Sequence, residues 1–448
     1  MEQVLIVGGG FRGIVASYFL TRAGCKVTLV ESAPFLGGVM RSSEWNGFQL
    51  DKGCHLFSND DAEITETLLD IMGGAVIPVS FKYASATAGT LSDGFAIPDL
   101  TVMGPDVCAK ILYATVEAAS RPPEEPRSLE EALRARFGQT AADHLGRAAA
   151  KMLRARPDEL DAAVLWTANF GRIRALPEEA TRLLKVHPVL DERLAGSSQT
   201  DPFGHELDGR AGCPFRKIYP AERGMRGFCD AAERHLAASG VELCLGTRLD
   251  ELSADAQGVA CLFSDGQERR FDRAFWTADL GILSNLLFGK DPLTPLVHKV
   301  PMVLYYFVVD EEAMGPHTYI HDFTPEDAVF RISAAGRYGQ QITDDGRTYI
   351  CCEATTEIGS PLWENPEGHA ERIWRETAAL GMISGPMPAE RHVLKTPVSY
   401  RVGRPGHQNA TRELRDRIVK TMPRIAIDSE GAFYRNDILK SLRELVAA

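Results

Sequence analysis

The sequence predicts an α/β protein of two domains. Three observations carry this: an apolar strand that enters a glycine-rich turn and a helix at the N-terminus, a chain long enough for two cores, and strand–helix patterns that return mid-chain and at the C-terminal end. Gln3–Val7 is a short apolar run of the kind that forms a buried parallel strand. It enters Gly8-Gly9-Gly10-Phe11-Arg12-Gly13, a G-x-G-x-x-G turn, and then a helix expected over Ile14–Ala23. Gly24 ends that helix, Lys26–Val30 reads as the second strand, and Glu31 and Ser32 stand at its tip. Gly8 allows the tight turn, Gly10 lets the backbone approach a pyrophosphate, and Gly13 lets helix and strand pack closely. The helix N-terminus offers N–H groups and a positive dipole end to phosphates, and an acid about 20 residues on suits a ribose hydroxyl pair. Together these parts predict a Rossmann-type dinucleotide site.

The next run is Leu36-Gly37-Gly38-Val39-Met40-Arg41-Ser42. Its G-G-x-x-R pattern resembles the signature of FAD enzymes of the amine oxidase, protoporphyrinogen oxidase, phytoene desaturase and UDP-galactopyranose mutase superfamily. The resemblance implies FAD in the extended conformation, with Glu31 on the adenosine ribose and Gly37, Gly38 and Arg41 beside the middle of the cofactor. Asp51-Lys52-Gly53-Cys54-His55-Leu56-Phe57 follows, a D-x-G segment similar to the G-A-H-x-F stretch of the mutases. That similarity implies a place for His55 near the isoalloxazine, where an imidazole tunes the flavin or holds a substrate hydroxyl; the alternative is a packed polar residue. Ser58–Met72 reads as a capped helix.

From about Val76 the pattern changes. Strands are expected at Val79–Tyr83 and Gly94–Ile97, then a mostly helical stretch from Pro105 to Leu190, with helices at Ser128–Phe137, Thr140–Arg154 and Asp158–Phe170. Such an insert suits a cap over a substrate cavity, and its arginines read mainly as solvated faces. Gly196–Gly212 is polar and glycine-rich and is expected to be a mobile loop. At Pro214–Pro220 the chain turns back to the first domain, and Gly224-Met225 leads into a helix expected over Arg226–Ser239. Strands are expected at Thr247–Leu252, Val259–Ser264 and Arg269–Trp276. The resemblance implies that the backbone of the segment from Val241 to Leu249 touches the FAD adenine.

Pro301–Asp310 is a strand of the second domain, followed by His317–Asp322, Ala328–Ser333 and Tyr349–Ala354. This region resembles the mutase segment that bears a diphosphate-gripping arginine, which the likeness carries to Arg331. A guanidinium fork suits phosphate oxygens; the alternative is an ion pair with Glu353 on a neighbouring strand. Helices are expected at Pro366–Leu380 and Ala410–Met422. The terminal stretch Arg424–Ile438 resembles the family's last strand, glycine turn and helix, with Gly431 and Asp437 at family spacing. Two departures stand out there. Asp428-Ser429 replaces a Gly-Arg pair, and Phe433 and Arg435 replace two tyrosines.

The fold expected is therefore a discontinuous Rossmann-type FAD-binding domain (1–75, 214–285 and 396–448) with a mixed-sheet substrate domain and helical cap (76–213 and 286–395). Phe11, Arg12 and Ser32 join the glycines and Glu31 as cofactor-binding candidates; His55 and Arg331 are the catalytic ones. The cofactor expected is FAD, and the partner is a small-molecule substrate. The function expected is an FAD-dependent oxidoreductase acting on a sugar or sugar nucleotide by hydride transfer. Alternatives are a non-redox mutase, an amine or porphyrinogen oxidase or polyene desaturase, and a non-catalytic scaffold. No general base, nucleophilic triad or metal site is recognised.

Composition sets outer bounds. The 448 residues weigh 49.1 kDa, with 44% hydrophobic and 25% charged residues, as in ordinary globular proteins. A net charge of −12 argues against nucleic acid as a partner, since phosphate backbones need a basic face. Nine cysteines without metal spacing read as thiols of a reducing cytoplasm. No apolar run reaches the roughly 18 residues of a membrane span. The first strand starts so early that no signal or transit peptide is expected, and a homodimer is compatible with the sequence.

Overall fold

The computed structural model describes residues 1–80, 82–122, 125–196, 217–428 and 434–447. The chain divides into two compact units: Met1–Ser80 with Phe203–Pro295 and Asn409–Ala448, and Phe81–Pro202 with Leu296–Gln408. The breaks at 80, 295 and 408 fall beyond the expected 75, 285 and 395.

The first unit is built on a five-stranded parallel sheet, in the order Glu242–Leu245, Lys26–Glu31, Gln3–Val7, Arg273–Trp276 and Ile425–Ile427. Gln3–Val7 lies at its centre, and Val4, Leu5 and Ile6 are fully buried, as a strand covered on both faces requires. The helix of the glycine turn spans Phe11–Arg22, three residues earlier than expected. The expected strand Arg269–Trp276 is two strands in two sheets. Glu268–Phe271 closes an antiparallel sheet with Gly258–Phe263 and Leu249–Asp255, and the chain turns at Asp272 into Arg273–Trp276 of the parallel sheet.

Ser58 does not cap a helix. Phe57–Ser58 pairs with Lys217–Ile218, Lys217 Nζ donates to the Ser58 hydroxyl at 2.7 Å, and the helix starts at Ala62 under Asp61, whose carboxylate accepts from Ile64 N. The final helix spans Arg435–Ala447, with Asp437 in its first turn.

The second unit holds a seven-stranded mixed sheet, in the order Arg391–Gly403, Val297–Asp310, Arg347–Thr355, Arg331–Ser333, Tyr319–Asp322, Tyr83–Thr87 and Thr90–Asp93. The pairing of Tyr319–Asp322 with Tyr83–Thr87 is parallel and the others are antiparallel. The strand expected at Gly94–Ile97 lies earlier, because Ala88 and Gly89 take positive φ and turn the chain into Thr90–Asp93. One face of the sheet carries the core, with Val303, Tyr305, Phe307, Ile320, Ile332 and Cys352 buried against Ile373 and Trp374. The helical insert contains Pro105–Ala119, Leu129–Phe137 under the Ser128 cap, and Gln139–Leu153. The third expected helix breaks into a 3-10 turn at Pro157–Glu159 and a short Val164–Thr167. Pro157 holds Arg156 extended, which stops a continuous helix from forming there.

Lys151 of the insert is buried against Asp322 of the sheet, with Nζ 3.1 Å from the carboxylate. Burial pushes the Lys151 amine below its usual value, while Asp322 pulls it back. Lys151→Met leaves that carboxylate buried without its counter-charge and should destabilise the protein by about 3–5 kcal/mol. Adding Asp322→Leu should recover most of the loss. Denaturant unfolding of the single and double variants checks this, and a harmless Lys151→Met would contradict it.

Candidate functional site

The glycine turn is a dinucleotide cradle by its steric demands. A side chain at Gly13 would overlap the Gly8 carbonyl oxygen, so helix and turn touch at a distance only glycine permits. Gly10 is the reverse: a Cβ there meets nothing within 4 Å. That open side lies at the start of Phe11–Arg22, where no side chain caps the helix. Uncapped N–H groups beside free space are what a pyrophosphate requires. Gly37 N donates to Gly9 O at 2.8 Å, and Gly38 lies against Gly10, so the second glycine pair borders the same opening. The residues present therefore fit a dinucleotide.

Glu31 reaches back over the turn. Its carboxylate accepts from Gly9 N at 2.6 Å, Ala33 N at 2.7 Å and the Ser32 hydroxyl at 3.0 Å. A carboxylate has about four acceptor positions, which leaves capacity for a ribose hydroxyl. Ser32 thus serves Glu31. Gly246 N and Thr247 N donate to the carbonyls of Ala33 and Glu31, so it is this backbone that borders the strand tip; Leu249 begins a strand two residues on.

Phe11 is buried in an aromatic cluster, 6.1 Å from Phe57 and 5.9 Å from Phe228 between ring centroids. Arg41 donates to Asp230 at 2.8 Å and lies over the Phe35 ring. Arg12 pairs with Asp428, whose side chain is almost fully buried. The Asp428 departure therefore comes with a cation from the glycine turn itself. Asp437 is exposed, and Gly431, Ser429 and Phe433 lie outside the described residues, as does the expected loop over 197–212. His55 accepts at Nδ1 from Arg435 Nη2 at 2.8 Å, while Arg435 Nη1 donates to Leu56 O at 2.9 Å. The signal for that pair was the tyrosine-to-arginine departure itself.

In the sequence, Asp51 stands out only as part of a backbone motif. The structure buries its carboxylate completely, accepting from the Ser42 hydroxyl at 2.5 Å, the Tyr219 hydroxyl at 2.6 Å and Met225 N at 3.2 Å. Burial pushes its pKa up to about 6, and the three donors only partly offset that. The acid ties Gln49–Asp51 to the start of the helix Gly224–Ala238.

In the second unit, Arg331 binds Glu353 through both arms of its fork, Nε to Oε1 and Nη2 to Oε2, each at 2.5 Å. This is the ion pair given above as the alternative. Burial opposes the Arg331 charge, but Glu353, Tyr400 and Tyr319 hold its pKa well above the usual guanidinium value. Strand register sets Ser85, His321, Arg331 and Glu353 in one row across the sheet, on the side opposite the core. Tyr83, Tyr319, Ser333 and Cys351 form the next row. His321 Nδ1 lies 3.1 Å from Ala96 O, so it donates there, and Nε2 accepts from the Tyr319 hydroxyl at 2.7 Å. Burial and the Arg331 charge lower the His321 pKa to about 3, so the ring is neutral at physiological pH. The hydroxyls of Ser85 and Ser333 are buried with no hydrogen-bond partner. No group of acids, histidines and cysteines able to hold a metal occurs among the described residues. No helix of the described residues is long and apolar enough to cross a membrane.

Fold and cradle define the class: an α/β protein with a Rossmann-type dinucleotide-binding unit and a second, mixed-sheet unit. Residues 6–71 match the NAD(P)-binding Rossmann-like domain family. Over 72 residues the sequence is 35% identical to protoporphyrinogen oxidase 2, chloroplastic/mitochondrial, of Arabidopsis thaliana, a match spanning 16% of this chain and 14% of that protein. The chain thus matches about a seventh of that relative's length. Among solved structures, reduced UDP-galactopyranose mutase superposes with a TM-score of 0.71 at 16% identity, over 100% of this chain and 95% of that one. An oxidoreductase from Methanosarcina mazei gives 0.64 at 12% identity, over the whole of both chains. Putrescine oxidase bound to putrescine gives 0.62 at 15%, over 100% and 98%. The chain shares the fold of these three solved structures.

The Asp51 site makes a signed prediction. An acid whose folded pKa of about 6 exceeds its unfolded value of 3.8 binds protons more readily in the native state. Its contribution to stability is greatest below pH 3.8 and is lost as pH rises through 6, a cost of about 3 kcal/mol at neutral pH. Asp51→Asn should flatten the pH dependence of unfolding between about pH 4 and 6. An unchanged slope in that window would remove the assignment.

Proposed function

We propose that the protein is an FAD-dependent oxidoreductase that takes a hydride from a small, neutral, hydroxyl-bearing substrate such as a sugar. The observation that carries the cofactor is the open side of Gly10 between an uncapped helix start and the Gly37-Gly38 pair. Glu31 would hold the adenosine ribose, the backbone of the turn the pyrophosphate, and Gly37 and Gly38 the middle of the cofactor. Bound there, the flavin supplies the hydride acceptor. His55 is the proposed flavin-side residue.

Arg331 and Glu353 cancel, and His321 is neutral, so the polar row of the second unit presents hydroxyl, imidazole and aromatic groups without net charge. A diphosphate would have to displace Glu353 from the Arg331 fork and leave an almost fully buried carboxylate unpaired. A cationic amine would find no unpaired anion in this row. Both arguments favour a neutral sugar over a sugar nucleotide or an amine.

The test is an anaerobic spectrum of FAD-loaded protein titrated with neutral sugars, sugar nucleotides, amines and porphyrinogens. Bleaching by a neutral sugar is expected. Bleaching by amines alone would overturn the substrate class, and turnover only after dithionite reduction would establish the isomerase alternative. Gly10→Val should purify without FAD, and a full flavin content in that variant would remove the cofactor assignment. Arg331→Ala should lower stability by about 3–5 kcal/mol, because Glu353 is left unpaired. A stable variant that only loses sugar-nucleotide affinity would restore the diphosphate grip.

A further inference from the structure

Arg435 is 380 residues from His55 in sequence, yet it binds the imidazole directly. Its guanidinium makes two directed bonds to consecutive residues, Nη2 to His55 Nδ1 at 2.8 Å and Nη1 to Leu56 O at 2.9 Å. It also lies over the Phe57 ring, 5.5 Å from the centroid. Phe57 is fully buried and packs on Phe228 at 4.9 Å and on Phe11 of the glycine turn. Three successive residues thus fix one guanidinium. The helix that carries it is tied to the same stretch again, by Asn436 to Asp60, Lys440 to Asp61 and Arg443 to Glu63.

A guanidinium has five donors, no acceptor, and stays protonated at any working pH. The His55 nitrogen that faces it must therefore present a lone pair. A neutral imidazole carries one ring proton, so that proton sits on Nε2. Protonating Nδ1 would set a donor against a donor and break the bond. We propose that Arg435 is a positioning residue that locks His55 as the neutral Nε2–H tautomer, so that the ring offers a hydrogen-bond donor, and not a base, at Nε2. The lock itself is a property of the first unit alone; its consequence for catalysis rests on the flavin-side reading of His55. In that reading the donor would stabilise negative charge that develops on the flavin or on a substrate oxygen.

The imidazole nitrogens report the tautomer directly. Nitrogen-15 NMR of the full-length protein, with His55 assigned by its loss in His55→Gln, should show a protonated Nε2 and a pyridine-type Nδ1. Arg435→Met keeps the aliphatic stem but removes the donors, and should give a mixture of both tautomers. Arg435→Lys restores a donor and should return the ring to the single form. A wild-type ring with its proton on Nδ1, or charged, would overturn the proposal, as would an unchanged tautomer in Arg435→Met. If Arg435→Met does not fold, the wild-type and Arg435→Lys spectra still decide. This readout needs no turnover, so it fails or succeeds apart from the proposed oxidation. In the flavin-loaded protein, His55→Ala and Arg435→Met should shift the reduction potential in the same direction and non-additively when combined. A clamp with no electronic role would leave that potential where it is.

Discussion

The contact between Gly13 and the Gly8 carbonyl is the constraint on which the first unit depends. It forces the helix Phe11–Arg22 to leave the central strand at a tight angle, with its N-terminus beside the end of that strand. Thr277 reinforces the turn from the next strand, its hydroxyl donating to Val7 O at 3.0 Å. With the turn fixed, Glu31 on the neighbouring strand reaches Gly9 N, and Gly37 N reaches Gly9 O. Everything proposed for the dinucleotide follows from this arrangement, and none of it needs a side chain at Gly10. The same position that gives the turn its local signature leaves the space a ligand would fill.

Local signals were legible in the sequence; partnerships across the chain were not. Gln3–Val7 was readable to the residue because a buried parallel strand needs a continuous apolar run and the turn residues bound it on one side. Arg269–Trp276 read as one strand because its pattern runs on through Asp272, although the chain changes sheets there. Ser58 and Asp61 are both good caps in sequence; only the pairing of Phe57–Ser58 with Lys217–Ile218, some 160 residues away, assigns the role to Asp61. The side chains that define the candidate site show the same division. Glu31 was placed by its distance from the turn, whereas Tyr219 on Asp51, Arg12 on Asp428 and Arg435 on His55 come from positions 168 to 416 residues away.

Buried acids recur through both units, and each is handled differently. Glu353 and Asp322 face Arg331 and Lys151, so burial costs are offset by opposite charge. Asp428 takes Arg12 from the glycine turn. Asp51 accepts from the Ser42 and Tyr219 hydroxyls and from Met225 N, and burial raises its pKa. An acid paired with a cation is matched charge for charge, while one bound by several donors serves as a hydrogen-bonded joint. Asp51 is such a joint, between the segment that leads to His55 and the helix Gly224–Ala238.

The two departures from the mutase pattern near the C-terminal end decide between a remade site and a decayed one. Asp428 brings a buried acid toward the glycine turn, a change that would repel a pyrophosphate if it stood alone; Arg12 of that turn pairs with it. Arg435 brings a cation where the mutase pattern has a tyrosine, and it binds His55 and Leu56 with two good bonds. The two departing residues that are described, Asp428 and Arg435, each meet a complementary group in the first 60 residues, at the segments the resemblance ties to the cofactor. A scaffold released from function would have no reason to match these changes in pairs, since an unmatched surface arginine costs little. The pairing therefore favours a working flavin site with altered chemistry at His55, and it weighs against both the non-catalytic scaffold and an unmodified mutase.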